Sequence, residues 1–294
     1  MRALLDCDVL CYSVGSAKDE IGNPLSWPLV QARVDTILNG ITRSVEADSW
    51  QGYLTGAGNF REKVATIKPY KGNRDRDARP FWYQRIYDYL STNRNCIIVH
   101  GMEADDAIAI ASDKEYKTTV IISADKDLLQ VPGWHASWPY YGETASKAFF
   151  VSEEESWKAF FKQLLIGDQS DNIPGLYRIG PSSQCVKDVL NLTHPADMFE
   201  VCQFEYEKRF GSYWKQFIEE NGTLLWLLRH EEDSFKKRMQ WFLEEGYRRQ
   251  EQRRDAATFL MRLNGEALST TPLESSSFTT QILTVISNEA TASQ

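Results

Sequence analysis

The 294-residue sequence is long enough for one large domain or two modest ones, and for a core that needs no disulfide or metal staple. Its 42% hydrophobic and 25% charged residues exclude a disordered or fibrous chain, and no apolar run approaches the roughly 20 residues that span a bilayer. A net charge of −8 argues at first sight against a nucleic-acid partner, so the distribution of charge along the chain matters more than its sum.

From the N-terminus the sequence runs straight into an apolar, strand-like segment, with no room for a signal peptide's apolar stretch, and a cytoplasmic location is expected. Short runs rich in β-branched residues then alternate with longer amphipathic ones, the pattern of parallel strands joined by helices. Strands are predicted over 3–10, 51–55, 96–100, 118–123 and 135–140, and helices over 28–46, 80–91, 104–114 and 153–165. The fold class is therefore α/β, with a mostly parallel central sheet flanked by helices. From about residue 152 the strand signal stops, and the chain reads as helices punctuated at Gly167, Pro174-Gly175, Gly180-Pro181, Gly211 and Asn221-Gly222. Three regions are expected: an α/β region over 1–151, a helical region over 152–264 and a Ser/Thr-rich tail over 265–294. Within that tail 278–286 alternates well enough for one edge strand. Five cysteines with no CxxC pair, Cys7, Cys11, Cys96, Cys185 and Cys202, predict buried free thiols rather than a disulfide framework or a zinc site.

Charge is segregated along the chain. Between Arg61 and Arg94 nine basic residues (61, 63, 68, 71, 74, 76, 79, 85, 94) face four acidic ones (62, 75, 77, 88). Acids gather instead where predicted strands end: Asp6 and Asp8, then Glu103 with Asp105 and Asp106, then Asp125 with Asp127. In open parallel sheets these ends share one crevice. Carboxylates so gathered repel one another unless a cation neutralises them, and an all-oxygen set favours Mg²⁺ or Mn²⁺ over zinc. Taken singly, each acid reads more often as a helix cap or turn residue, and it is their conjunction that points to a metal. A fourth group, Gly167-Asp168-Gln169-Ser170-Asp171-Asn172-Ile173-Pro174-Gly175, leads into Leu176-Tyr177-Arg178-Ile179-Gly180, two glycines five apart before a helix. That layout suits a hairpin whose backbone N–H groups approach phosphates.

Four blocks in this order resemble the 5′ nuclease superfamily, meaning flap endonucleases, the 5′ nuclease domain of bacterial DNA polymerase I and phage-encoded 5′ to 3′ exonucleases. They are Leu4-Leu5-Asp6-Cys7-Asp8-Val9-Leu10-Cys11-Tyr12; Phe60-Arg61 through Pro69-Tyr70-Lys71-Gly72-Asn73-Arg74; Glu103-Ala104-Asp105-Asp106 with Ser123-Ala124-Asp125-Lys126-Asp127; and 167–175. The resemblance covers roughly 3–190. It implies that Asp6, Glu103, Asp105, Asp106, Asp125, Asp127, Asp168 and Asp171 bind or orient two Mg²⁺ (or Mn²⁺) ions, with Asp6 and Asp125 central to catalysis. It implies that Lys71 and Arg74 contact the scissile phosphate at the base of a helical gateway around 68–95. It also implies a helix-three-turn-helix around 164–190 that grips duplex DNA, in many members with K⁺. Arg61, Tyr70, Lys71, Arg74, Gly175, Arg178, Gly180, Ser182 and Ser183 are the DNA-binding candidates. Two departures stand out. Relatives carry another Asp at the end of the second strand, where this chain has Thr55-Gly56-Ala57-Gly58-Asn59, and relatives often place a Lys after Ile179-Gly180, where this chain has Pro181-Ser182-Ser183.

The expected activity is therefore divalent-metal-dependent 5′ to 3′ exonuclease or flap endonuclease cleavage of DNA by a two-metal mechanism, in replication or degradation. RNA–DNA hybrids are a further candidate substrate, replication proteins are candidate partners, and a monomer, phage-encoded or a small accessory protein, is expected. Two rivals stay open: a non-catalytic DNA-structure binding protein derived from a nuclease, and an aspartyl-phosphate phosphatase suggested by Asp6-x-Asp8. Of the aromatic residues near the basic strip, Tyr70 and Phe81 are the candidates for stacking on an unpaired base; the rest recur at core spacing. His100 and His135 read as structural. The mixed charges over 236–254 fit either a DNA-contacting helix or a solvated one.

Overall fold

The computed structural model describes residues 1–75, 79–115, 117–138 and 145–263. The chain divides into two compact units, Met1–Gly246 and Tyr247–Gln294, and of the second only the helical stretch to Leu263 is described. The expected strand over 278–286 lies outside the described residues, as do 139 and 140 at the end of the fifth predicted strand.

Strand β1 (Arg2–Asp6) leads into helix α1 (Asp8–Ser13), α2 (Trp27–Ser44), β2 (Ser49–Thr55), the short α3 (Arg61–Val64), α4 (Tyr83–Asn93) and β3 (Ile97–Val99). Helix α5 (Ala104–Lys114), β4 (Thr119–Ser123), a 3₁₀ turn (Lys126–Gln130), β5 (Gly133–Ser137) and β6 (Phe149–Val151) complete the sheet region. Its six strands lie in the order β3-β2-β1-β4-β5-β6; all neighbours are parallel except β5 and β6. Because the chain first builds outward from β1 on one side and then returns to β4 on the other, the crossover connections diverge between β1 and β4. That is where a parallel sheet opens a crevice at its carboxyl edge.

Both faces of the sheet are covered, so β1 is buried throughout Ala3-Leu4-Leu5. Ala3, Leu5, Val120 and Ile122 pack with Val30, Val34, Ile37, Leu38 and Ile41 of α2, residues at helical spacing on one face. Leu4, Tyr53, Val99 and Ile121 point the other way, onto Ile108 and Ala109 of α5. The later helices are α6 (Glu153–Ile166), α7 (Gln184–Asn191), α8 (Pro195–Phe210), α9 (Trp214–Leu225) and α10 (Phe235–Leu263), with a small antiparallel pair, β7 (Gly167–Asp168) and β8 (Ile173–Pro174), between α6 and α7. In the first unit these helices enclose an aromatic core of Phe160, Phe161, Phe199, Tyr206, Trp226, Phe235 and Phe242. The six-stranded sheet ends at Val151, and both sides of the expected 151/152 boundary belong to the first unit. No helix among the described residues is long and apolar enough to cross a membrane.

Several element boundaries differ from the sequence reading. The strand predicted over 3–10 stops at Asp6, and Asp8–Ser13 is helical: a continuous apolar run carries no period to separate strand from helix, and burial of Val9, Leu10 and Cys11 serves either. Helix α4 starts at Tyr83 rather than at residue 80. All five cysteines are free and buried, as expected.

Candidate active site

The acids of β1, α5, β4 and β7 meet at the carboxyl edge of the sheet, in two groups of different character. The inner group centres on Asp6, the last residue of β1. Ser123, at the end of β4, donates its hydroxyl to Asp6 Oδ2 at 3.2 Å and accepts Asp125 N at 2.9 Å, tying the two strand ends together. Asp125 Oδ1 accepts Asp127 N at 2.8 Å and so caps the 3₁₀ turn. Gln163 of α6 reaches in and donates to Asp127 Oδ1 and to Asp168 Oδ2, each at 2.9 Å. Asp105, in the first turn of α5, sits beside Asp6, Asp125 and Glu103, and its Oδ1 is buried without a hydrogen-bond partner.

Burial, then the charges of Asp8 and Asp125, push the Asp6 carboxyl up to about 7. Burial, then Asp125 and Asp168, push Asp127 up to about 7 as well. Asp105 is driven well above the ordinary carboxylate range by burial and by Asp6, Asp125 and Glu103. Asp168 is the exception on this side: burial would raise it, but bonds from Ser170 and the charge of Lys126, 3.4 Å away, bring it below its usual value.

The outer group carries its own cations. Tyr70 O–H lies 2.8 Å from Glu103 Oε2 and 2.7 Å from Asp171 Oδ2, Lys71 Nζ pairs with Glu103 and lies 3.7 Å from Asp171, and Arg74 holds Asp171 Oδ1 at 2.6 Å. The segment bearing these residues is strapped to the 168–172 loop: Lys71 N donates to Asp171 O at 2.9 Å, the Asn73 side-chain amide to Gln169 O at 2.7 Å and the Asn172 side-chain amide to Pro69 O at 2.9 Å. The close fit requires left-handed backbone at Lys71 (φ 52°) and Asn172 (φ 60°). Although burial works against ionisation, Lys71 and Arg61 hold Glu103 below the ordinary range.

Three sequence-based assignments are corrected. Asp106 is wholly buried, and both its oxygens are taken by Arg61 (2.5 and 2.9 Å) and by the N–H groups of Glu103 and Leu228 (3.1 Å each), which leaves nothing for a metal. Arg61, 1% exposed, spends its other N–H groups on Leu224 O and Trp226 O, so it fastens the helical region to α5 and does not meet DNA. Tyr70 is 6% exposed and engaged at its hydroxyl, which removes it as a stacking platform; Phe81, 71% exposed, keeps an open face. Nor is the basic strip one surface. Arg94 pairs with Asp35, and Arg85 lies over Trp27. His135 is buried with Nε2 2.7 Å from Val131 O, a structural histidine.

The hairpin between α6 and α7 brings Gly167 (φ 74°) against Gly175. A Cβ on Gly175 would lie 2.1 Å from Ile166 O, so this glycine is required by the neighbouring backbone rather than by a phosphate. Arg178 (φ 61°) and Ser182 are exposed at the tip, beside Tyr177 at 77% exposure, and Ser183 Oγ accepts Gly180 N at 3.0 Å. Sequence reasoning missed Gln163 and Ser123, which orient the inner acids; nothing in the motif spacing marks them. It also left Asp8 out of the ligand set, although the Asp6-x-Asp8 pair was visible.

The inner acids suit a hard divalent cation in their chemistry: oxygen donors only, ionisation of Asp6, Asp105 and Asp127 suppressed by burial beside other acids, and one buried oxygen left over at Asp105. Among the described residues no three His, Cys, Asp or Glu side chains close on a single point, so the acids line the crevice rather than form a finished cage.

No protein-family model matches the sequence. Two curated proteins are similar over part of it: DNA polymerase I of Rhizobium leguminosarum, 34% identical over 102 residues, and DNA polymerase I of Treponema pallidum (strain Nichols), 32% identical over 134 residues. These matches cover 31% and 39% of this chain but only 10% and 13% of the polymerases. In three dimensions the chain is similar to a bacteriophage T5 flap endonuclease crystallised as a pseudo-enzyme–product complex with DNA and metal ions. The TM-score is 0.55 at 17% sequence identity, with 84% of this chain and 99% of that one covered. With its mostly parallel sheet, flanking helices and acidic carboxyl edge, the chain has the 5′ nuclease fold.

Proposed function

We propose that this chain is a divalent-cation-dependent 5′ nuclease that hydrolyses DNA phosphodiesters at or near a 5′ end, as an exonuclease or flap endonuclease, and leaves a 5′-phosphate. The observation that carries the reading is the meeting of Asp6, Asp105, Asp125 and Asp127 at one sheet edge, where among the described residues none of the four forms an ion pair with a Lys or Arg. The T5 flap endonuclease of the same fold, crystallised with DNA and metal ions, supports it. Asp6, Asp105, Asp125 and Asp127, with Glu103, Asp168 and Asp171 at the margin, would hold Mg²⁺ or Mn²⁺; Asp106 would not. Such ions supply Lewis-acid polarisation of the phosphate and a lowered pKa for the attacking water.

The chain's own residues supply the rest. Lys71, held at the crevice mouth by Glu103 and Asp171, can turn its ammonium toward the non-bridging phosphate oxygens, where charge builds as the bond breaks. Arg74, half exposed beside it, holds the backbone. Ser123 and Gln163 fix Asp6, Asp127 and Asp168 in place, and Phe81 offers a face to an unpaired 5′ base. Arg178 and Ser182 on the hairpin tip would contact the duplex backbone.

Asp6 is almost wholly covered and bonded to Ser123, a poor station for a nucleophile that must meet a phosphate ester in line, and this disfavours the phosphatase reading. One observation favours a non-catalytic DNA-binding protein: no carboxylate stands at the end of β2. A single assay decides. A 5′-labelled duplex and a flap substrate, incubated with Mg²⁺, Mn²⁺ or EDTA, should be cut in the first two and intact in the third. Binding of the flap without cleavage under any metal would sink the nuclease.

A further inference from the structure

The end of β2 is where the acidic crevice lacks a residue. Thr55 closes the strand, and its hydroxyl accepts Ala104 N at 3.0 Å, so it is committed to starting α5. Gly56 has no room for a side chain: a Cβ there would lie 2.6 Å from Val99 O and 2.7 Å from His100 Nδ1. Strand β2 therefore provides no cation ligand of its own.

Asp8 reaches that place from the neighbouring strand. It opens α1 two residues after Asp6, and β1 lies parallel to β2 with Asp6 opposite Tyr53. Both Asp8 oxygens accept from Thr55 N, at 3.2 and 3.1 Å, and Asp8 N donates to Asp6 Oδ1 at 3.2 Å. The two carboxylates are thus joined through the backbone, with Asp8 on the β2 side of Asp6 and Asp125 on the β4 side. Among the described residues no Lys or Arg forms an ion pair with Asp8, and the buried Asp105 Oδ1 also lacks a partner. We infer that Asp8 is the carboxylate of β2 delivered from α1: a cation-holding residue that replaces the acid missing at Thr55. A mere cap of Thr55 N–H would not need the charge, because an Asn side-chain oxygen accepts that bond equally well.

The inference rests on the divalent-cation reading above, and the test separates the two. Mn²⁺ binding to the full chain, without DNA, is measured by titration calorimetry for the wild type, Asp8→Asn, Asp125→Asn and the double variant Asp8→Asn/Thr55→Asp, with thermal unfolding in EDTA as the folding check. Asp8→Asn should bind Mn²⁺ about 10- to 100-fold more weakly, keep its unfolding temperature in EDTA, and regain most of the affinity when Thr55→Asp returns a carboxylate to β2. Unchanged binding in Asp8→Asn beside weakened binding in Asp125→Asn overturns the role of Asp8. So does a loss that the double variant does not recover, since Asp8 would then act only by supporting Asp6. If Asp125→Asn also binds Mn²⁺ like the wild type, the divalent-cation reading itself falls, and this inference with it.

Discussion

The two sides of the crevice use the same residue types to opposite effect. Around Glu103 and Asp171, Tyr70, Lys71 and Arg74 supply hydrogen bonds and positive charge, so Glu103 is ionised more readily than in water, although burial still raises Asp171. Asp6, Asp105 and Asp127 form no ion pair among the described residues, and burial beside other acids outweighs the bonds from Ser123 and Gln163 and makes ionisation unfavourable. A carboxylate already paired needs no external cation, whereas an unpaired, buried one gains most from it. On the proposed reading, the inner side is the main place for cations and the outer side the mount for the group that meets phosphate.

Each of four changes breaks or sharpens that contrast. The largest effect is expected for Asp125→Asn, on the inner side: cleavage of a labelled flap should fall more than about 100-fold, beyond the range of second-sphere changes, while affinity measured by anisotropy in Ca²⁺ stays near wild type. Wild-type turnover would remove Asp125 from the mechanism. Next comes Arg61→Ala, which strands Asp106 as a bare charge in the interior. Breaking such a buried pair should cost about 3–5 kcal/mol, read by urea unfolding, whereas unchanged stability with weakened DNA binding would restore Arg61 to the DNA surface.

On the outer side, Lys71→Ala should slow the single-turnover rate on the order of 100-fold, comparable to losing one donor to a developing oxyanion, with little change in binding. A rate equal to wild type would reduce Lys71 to a brace for Glu103. The smallest effect is the pH response of Asp6. Its folded carboxyl titrates near 7 instead of 3.8, so between these values the folded metal-free chain holds a proton that the unfolded chain has lost. Stability of the wild type should therefore fall relative to Asp6→Asn as pH rises from about 4 to about 7, and Mg²⁺ should oppose the fall. Parallel pH curves for the two proteins would show that Asp6 is not strained as described.

Much of the molecule was legible from local pattern. The i, i+4, i+7 spacing of Val30, Val34 and Ile37 marks α2, and the buried run Val120-Ile121-Ile122 marks a strand covered on both faces. The acidic blocks after β1, β3 and β4 were found by the rule that parallel strands gather their carboxyl ends. What was not legible depended on pairing across long sequence distances. Nothing near Asp106 distinguishes it from Asp105, yet one turns toward Arg61, 45 residues earlier, and the other into the crevice. Tyr70 looked like a stacking ring because its partners, Glu103 and Asp171, lie 33 and 101 residues away.

The sequence by itself determined the α/β order of elements, the helical second half and the collection of acids at one edge, because helix and strand periods and the geometry of parallel crossovers act over short spans. Only the tertiary structure decided which acids are compensated. Whether a carboxylate is bare or paired depends on which distant cation, amide or strand end folds against it: Arg61 on Asp106, Lys71 on Glu103, and the N–H of Thr55 on Asp8.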